Sequence, residues 1–327
     1  MLQYLIIQLD DTSVSYCHYE NKRTIRNLIS IEDLKAGILY AMKENLMIQF
    51  VYPDYELPKE YKNVINTIDH SNIVSSLCED RDLSKRADVV VFHDWTGLDL
   101  FHFSEQFACV VCTTKADLFD RYLFLKRVLS IVPRLNVVIT DVEAFNKGEL
   151  EKYKEILTYL SEELEKLYAK GQSPQLNLLT DRMMLNSMNN CNAGFENITL
   201  APDGKFYVCP AFYLAEDSED YGLGKAKYNI GDLRKGVDIK NPQLYKLSHA
   251  PLCNHCDAYQ CKRCVWLNRK MTYELNTPSH EQCVIAHIER NASRDLLYRI
   301  RKNGTFLPEQ EIKEIDYLDP LDIKDEW

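Results

Sequence analysis

The chain has 327 residues, with 11 cysteines, 11 glycines and a formal net charge of −10. Its apolar fraction of 46% and charged fraction of 27% are ordinary for a globular protein, and its length provides a core that folds without covalent cross-links. The acidic balance argues against a dedicated nucleic-acid binder, and no apolar run approaches the roughly 20 residues of a membrane span. The first residues do not resemble a signal peptide, so we expect a cytoplasmic protein whose cysteines serve metal binding or catalysis rather than disulfides.

The first part of the chain alternates strand-like and helix-like patterns. Residues 3–9 form an apolar run typical of a buried strand, and residues 30–44 predict a helix that Ser30 caps. Further β-rich runs occupy residues 47–52, 87–92, 107–112 and 136–140, and further helices are predicted at residues 58–68, 115–131 and 148–170. This alternation predicts an α/β fold with a parallel sheet, either doubly wound or an incomplete (β/α) barrel.

The composition changes at about residue 185, because seven of the 11 cysteines fall between residues 191 and 283. Residues 198–209 predict a β-hairpin, since two β-rich arms flank a Pro-Asp-Gly turn at residues 202–204. A cysteine-rich loop segment and a helix at residues 284–301 follow, and then an acidic end. We therefore predict a first domain at residues 1–184, a small cysteine domain at residues 185–303 and an acidic tail at residues 304–327.

The seven late cysteines have the spacing of metal ligands. They comprise two Cys-x-x-Cys pairs and three further thiols, namely Cys191, Cys209, Cys253, Cys256, Cys261, Cys264 and Cys283. Two intervening residues let both thiolates of a pair converge on one centre, and the cationic residues Lys262, Arg263, Arg269 and Lys270 would offset their charge. Zinc and an iron–sulfur cluster both suit such a set. Because His255, His280 and His287 lie nearby and would complete a zinc site, the spacing alone leaves the metal open.

The other cysteines and the histidines carry weaker signals. Cys78, Cys109 and Cys112 are interpreted as small core residues, and residues 109 and 112 would face opposite sides of a strand. The sequence contains no phosphate loop, dinucleotide fingerprint or nucleophile elbow, so no catalytic residue is predicted from a motif. His93 and Asp94 follow a predicted strand and are a minor candidate site, because barrel chemistry lies at the carboxyl ends of the strands.

The cysteine order, with Gly204 before Cys209, resembles the SPASM domain found at the C-terminus of radical SAM peptide-modifying enzymes. Residues 228–233 also resemble a glycine-containing segment of that family, whereas the gaps before Cys261 and Cys264 are each one residue shorter than the family's. The resemblance implies two 4Fe–4S clusters. One would be held by Cys191, Cys209 and Cys264, and the other by Cys253, Cys256, Cys261 and Cys283. The first cluster has three thiolates, so one of its irons would be open to a substrate thiolate or another ligand.

The N-terminal half resembles a radical SAM domain with a degenerate cluster motif, and this resemblance favours the incomplete (β/α) barrel over the doubly wound sheet. The family carries Cys-x-x-x-Cys-x-x-Cys after the first strand, and here Asp10 and Val14 replace two of those cysteines while Cys17 remains. Valine does not ligate iron, so we expect this chain to have no S-adenosylmethionine chemistry of its own. The runs at residues 9–21, 34–45 and 49–58 resemble the CXXX repeat peptide maturase family.

This second resemblance implies a role in maturing a small ribosomally made peptide that contains repeated cysteines. The expected partner is the cysteine-containing precursor peptide, with a companion maturation enzyme as a further candidate, and neither nucleic acid nor a membrane is expected. The chain would be either a maturase or a binding or electron-relay partner. The alternative is a zinc-stabilised peptide-binding or scaffolding module with no redox chemistry.

Overall fold

The computed structural model describes residues 2–101, 107–188, 191–214 and 228–313. Internal contacts divide the chain into two units, which we call unit 1 (Met1–Phe101 with Asn192–Ala250) and unit 2 (His102–Cys191 with Pro251–Trp327). The predicted domain division at residues 184 and 185 follows cysteine content and stays a prediction. Residues 314–327 of the predicted acidic tail lie outside the described residues.

The regular elements alternate between strands and helices for most of the chain. The described strands are β1 (Tyr4–Gln8), β2 (Met47–Val51), β3 (His70–Ser75), β4 (Val89–Phe92), β5 (Ala108–Thr113), β6 (Arg134–Ile139), β7 (Gln175–Leu176), β8 (Asn197–Leu200), β9 (Lys205–Tyr207), β10 (Asn229–Asp232) and β11 (Gly236–Val237). The described helices are α1 (Ile31–Glu44), α2 (Lys59–Ile65), α3 (Arg81–Lys85), α4 (Trp95–Leu100), α5 (Lys115–Arg121), α6 (Leu125–Leu129), α7 (Lys147–Ala169), α8 (Thr180–Met184), α9 (Pro210–Leu214), α10 (Val265–Thr272) and α11 (His280–Lys302).

Unit 1 is built on a mostly parallel sheet with the strand order β11-β10-β9-β8-β1-β2-β3-β4. Strand β1 lies between β2 and β8 and is parallel to both, whereas β8, β9, β10 and β11 are antiparallel to one another in turn. No ladder joins β4 to β11 in the part of unit 1 that the structure describes, so this sheet is open. The predicted α/β class and the parallel sheet are thus confirmed.

Local sequence explains most of these elements. The Ser30 hydroxyl accepts a hydrogen bond from the Asp33 backbone N–H at 3.0 Å, which caps α1 as predicted. Strand β3 was not predicted, because its sequence begins with the polar residues His70 and Ser71 and lacks a continuous apolar pattern. The predicted hairpin is present as β8 and β9, and Gly204 supplies the positive φ of +76° that its turn needs.

Unit 2 contains the parallel strands β5, β6 and β7 and the two long helices α7 and α11, which pack against each other. The predicted helix at residues 115–131 is two helices, α5 and α6, with the 3-10 turn Tyr122–Phe124 between them. Helix α11 begins four residues before the predicted start, because the Ser279 hydroxyl accepts from the Gln282 N–H at 3.2 Å. Cys109 and Cys112 on β5 are both buried, as predicted. In the part of the chain that the structure describes, none of the helices has the length and apolar character that a bilayer crossing requires.

Gly204→Ala tests the hairpin turn. A Cβ at this position would lie 3.0 Å from Asp33 Oδ2 and would force an L-residue into the left-handed region. We expect the free energy of unfolding to fall by about 1–2 kcal/mol, measured by urea denaturation. The matched control is Lys205→Ala on the exposed side of the same hairpin, for which a loss of the same size would contradict a backbone origin.

Candidate metal centre

Six of the seven predicted ligands belong to unit 2, namely Cys191, Cys253, Cys256, Cys261, Cys264 and Cys283, whereas Cys209 belongs to unit 1. Within the described ranges, no three His, Cys, Asp or Glu side chains are grouped closely enough to hold a metal ion. The candidate centre is therefore argued from the surroundings of the thiols.

The first Cys-x-x-Cys pair forms a tight turn. The Cys256 N–H donates to the Cys253 carbonyl at 3.1 Å, and the Cys256 sulfur accepts from the Ala258 N–H at 3.5 Å. Burial, reinforced by Cys261, raises the pKa of Cys253 to about 12. A metal would reverse that shift, since a coordinating thiol loses its proton.

The second pair follows directly and offers more donors to sulfur. Arg263 has a left-handed backbone (φ +43°), and its N–H donates to the Cys261 sulfur at 3.4 Å. The sulfur of Cys264 accepts backbone hydrogen bonds from Leu267 and Trp266 at the start of α10. Such donors stabilise a thiolate, and thus prepare these sulfurs to bind a metal.

Electrostatic contacts link five of the thiols. Cys253, Cys256 and Cys261 interact with one another, and Cys264 interacts most strongly with Cys191 and also with Cys261. The Cys191 N–H also donates to the Lys262 carbonyl at 3.0 Å, which ties Cys191 to the second pair.

Buried positive charge surrounds these thiols. Arg182, Arg263 and Arg290 are 3%, 2% and 1% exposed, and burial lowers the pKa of Arg182 and of Arg263. Arg182 and Arg290 share one carboxylate: Arg290 Nη1 hydrogen bonds Asp257 Oδ1, and Arg182 Nη2 lies 3.6 Å from Asp257 Oδ2. In the described residues, Arg182 Nε and Nη1 have no hydrogen-bond partner.

A buried cation is costly unless an anion accompanies it. Two guanidinium groups share the Asp257 carboxylate, and Arg263 lies beside Cys253, Cys191 and Cys261. Metal-bound thiolates would add negative charge beside these cations. The thiols, the N–H donors to sulfur and the neighbouring buried cations together fit a thiolate-held metal group.

His287 is the histidine that the structure brings to a candidate ligand. Its Nε2 lies 3.4 Å from the Cys256 sulfur, and burial lowers the pKa of this imidazole to about 4. The sequence also suggested His255 and His280 as zinc ligands. His255 Nε2 lies 3.5 Å from Asn254 Nδ2, and His280 is the exposed first residue of α11.

A buried carboxylate of α11 was missed in the sequence. Glu289 accepts from the Tyr153 hydroxyl at 2.8 Å and from Gln260 Nε2 at 3.4 Å, and burial raises its pKa to about 7. Glu289 also interacts electrostatically with Cys261. Nothing in the sequence distinguishes this glutamate from those of a solvated helix face, because its burial comes from the packing of α7 on α11.

The loop after β1 is ordered by Asp10 and Val14, the two residues that the sequence resemblance aligns with absent cysteines. The carboxylate of Asp10 is fully buried and accepts from the Thr12 N–H at 2.8 Å, the Thr12 hydroxyl at 2.6 Å and the Tyr55 hydroxyl at 2.9 Å. Val14 is buried as well, with its N–H donating to the Tyr52 carbonyl at 3.1 Å. The loop therefore replaces ligand positions with a hydrogen-bonded carboxylate and an apolar contact.

His93 and Asp94, the minor candidate site after β4, make separate contacts. His93 Nε2 lies 3.3 Å from the hydroxyl of Ser15, which belongs to the loop after β1. The carboxylate of Asp94 instead accepts from the backbone N–H groups of Thr96 and Gly97 and caps α4. Asp94 thus has a structural role that accounts for its position.

No protein-family model and no curated protein matches the chain. Solved structures of anSMEcpe, an anaerobic sulfatase-maturating radical SAM enzyme, are similar in fold. The native enzyme with bound AdoMet and the Cp18Cys peptide gives a TM-score of 0.57 at 12% identity, covering 92% of this chain and 100% of that one. The complex with AdoMet and the Kp18Cys peptide gives 0.58, and the hexahistidine-tagged enzyme with AdoMet gives 0.59, each at 13% identity and the same coverage.

At this identity the likeness shows the fold alone. The chain therefore has an α/β fold similar to that of anSMEcpe, which agrees with the fold that the radical SAM resemblance implies. The neighbouring structures contain AdoMet, which goes against the expectation that this chain has no S-adenosylmethionine chemistry of its own.

The shifted pKa of Glu289 predicts a pH-dependent stability. Its carboxyl binds a proton more tightly in the folded state, so stability is highest below the unfolded pKa of 4.5 and falls as pH rises through about 7. We expect a loss of about 3 kcal/mol across this window that Glu289→Gln removes, measured by urea unfolding between pH 4.5 and pH 8. Glu155→Gln on the exposed side of α7 should keep the wild-type profile. A Glu289→Gln profile as steep as that of the wild type would contradict this assignment.

Proposed function

We propose that this chain is an iron–sulfur protein of a peptide-maturation system, which binds a cysteine-containing precursor peptide in the cytoplasm. The single observation that carries the proposal is the presence of three buried guanidinium groups beside the thiols of unit 2. Two of them share Asp257 and the third lies among the thiols, an arrangement that favours an anionic group at the cysteines.

The number of late cysteines is the number that the SPASM resemblance assigns to two 4Fe–4S clusters. The electrostatic association of Cys253, Cys256 and Cys261 supports their sharing one cluster, for which Cys283 in the first turn of α11 is the proposed fourth ligand. The association of Cys264 with Cys191 supports the other cluster, for which Cys209 is the proposed third ligand. Such clusters supply one-electron chemistry when bound.

The fold and the peptide-bound neighbours support the substrate class. Two of the similar structures contain a bound peptide, which is Cp18Cys in one and Kp18Cys in the other. This chain is similar to both in fold over 92% of its length. The CXXX repeat precursor is the peptide that the sequence resemblance implies. A cluster with three thiolates from the chain would leave one iron for a thiolate of this peptide.

The metal content tests the iron–sulfur proposal. Purified without oxygen, the wild-type chain should contain iron and sulfide equivalent to two clusters, and Cys253→Ala should lose about four iron atoms per chain. Cys78→Ala, a half-buried thiol outside the set, should keep the wild-type content. Stoichiometric zinc without iron in the wild type would overturn the proposal in favour of a zinc-stabilised module.

Peptide binding tests the proposed role of the substrate thiol. A synthetic peptide with repeated Cys-x-x-x units should bind the iron-loaded chain at least about tenfold more tightly than its serine-substituted twin, because serine is a poorer iron ligand than thiolate. Isothermal calorimetry under nitrogen measures both affinities, and the spectrum of the cluster should change only with the cysteine peptide. Equal affinities would contradict thiolate ligation.

A further inference from the structure

We propose that His287 is a positioning residue of the metal centre, whose Nε2–H donates a hydrogen bond to the metal-bound thiolate of Cys256. The proposal rests on the proposed iron–sulfur function and assigns a residue that the cysteine pattern does not contain. It starts from the distance of 3.4 Å between His287 Nε2 and the Cys256 sulfur, which suits a hydrogen bond to sulfur.

The chemistry of the ligand fixes the direction of this hydrogen bond. A cysteine that holds iron is a thiolate, which has no proton to donate and accepts only. The imidazole nitrogen facing it must therefore carry the hydrogen, so the tautomer protonated at Nε2 is the one that fits the loaded centre.

The helix holds the imidazole in place. His287 stands four residues after Cys283 on α11, so the two side chains lie on the same face of that helix. The same helix is anchored to the cysteine loop by Gln260, whose Nε2 donates to the Ala286 carbonyl at 2.6 Å. The Ala258 N–H donates to the Cys256 sulfur at 3.5 Å. This sulfur would therefore receive one hydrogen bond from its own loop and one from His287 of α11.

A second donor on one sulfur has a consequence for electron transfer. The reduced cluster carries one more negative charge than the oxidised cluster, and part of that charge resides on the sulfur ligands. Hydrogen bonds to sulfur stabilise the reduced form more and raise the reduction potential. His287 would thus set the potential of the cluster that Cys256 holds, without touching substrate or iron.

The test compares His287→Leu, which removes the donor, with His287→Gln, whose side-chain amide can restore one. In anaerobic redox titrations followed by electron paramagnetic resonance, His287→Leu should lower the reduction equilibrium constant of one cluster about tenfold, or about 59 mV. His287→Gln should recover at least half of this shift. Tyr298→Leu, at an exposed position nearer the C-terminus of the same helix, should leave the potential unchanged.

Iron analysis of the same samples separates the possible failures. Iron at the wild-type level in His287→Leu with an unchanged potential overturns the role of His287 alone. Loss of about four irons in both His287 variants identifies His287 as a ligand and likewise overturns the donor role. Absence of iron from the wild-type chain overturns the iron–sulfur proposal itself.

Discussion

The structure of unit 2 depends on how three buried arginines are accommodated beside its thiols. Arg182 and Arg290 converge on the one carboxylate of Asp257, and Arg263 is buried beside Cys253, Cys191 and Cys261. Burying cations is unfavourable unless negative charge comes with them. The cysteine loop supplies Asp257 and Arg263, and α11 supplies Arg290, so these segments bring cations and thiols together at one candidate site for an anionic group.

The sheet of unit 1 shows how distant parts of the sequence are joined. Strand β1 pairs in parallel with β2, which follows it closely, and also with β8, which begins nearly 200 residues later. The hairpin of β8 and β9 thus extends the sheet that the first strand begins. Gly204 is the glycine that precedes Cys209 in the cysteine spacing, and it also forms the turn between β8 and β9.

The loop after β1 is held by the chain's own contacts. Asp10 accepts hydrogen bonds from Thr12 and Tyr55, and Val14 is buried. The fold is similar to that of AdoMet-bound anSMEcpe, but a fold does not determine the chemistry at one loop.

The sequence by itself determined the local features of this protein. Apolar runs predicted β1 and β2, Ser30 predicted the start of α1, and the Pro-Asp-Gly turn predicted the hairpin. These features were predictable because residue propensity and helix capping act over a few residues. Strand β3 was not predicted because its first residues are polar and interrupt the apolar pattern typical of a buried strand. The cysteine spacing likewise selected the candidate ligands, but spacing holds no information on what surrounds each sulfur. Only the tertiary structure shows that His287 contacts the Cys256 sulfur, that Glu289 accepts a hydrogen bond from Tyr153 and that three arginines are buried near the thiols. The sequence does not show these contacts because they join residues far apart in the chain. Burial and charge balance arise from packing, and they decide which of the predicted residues can act together.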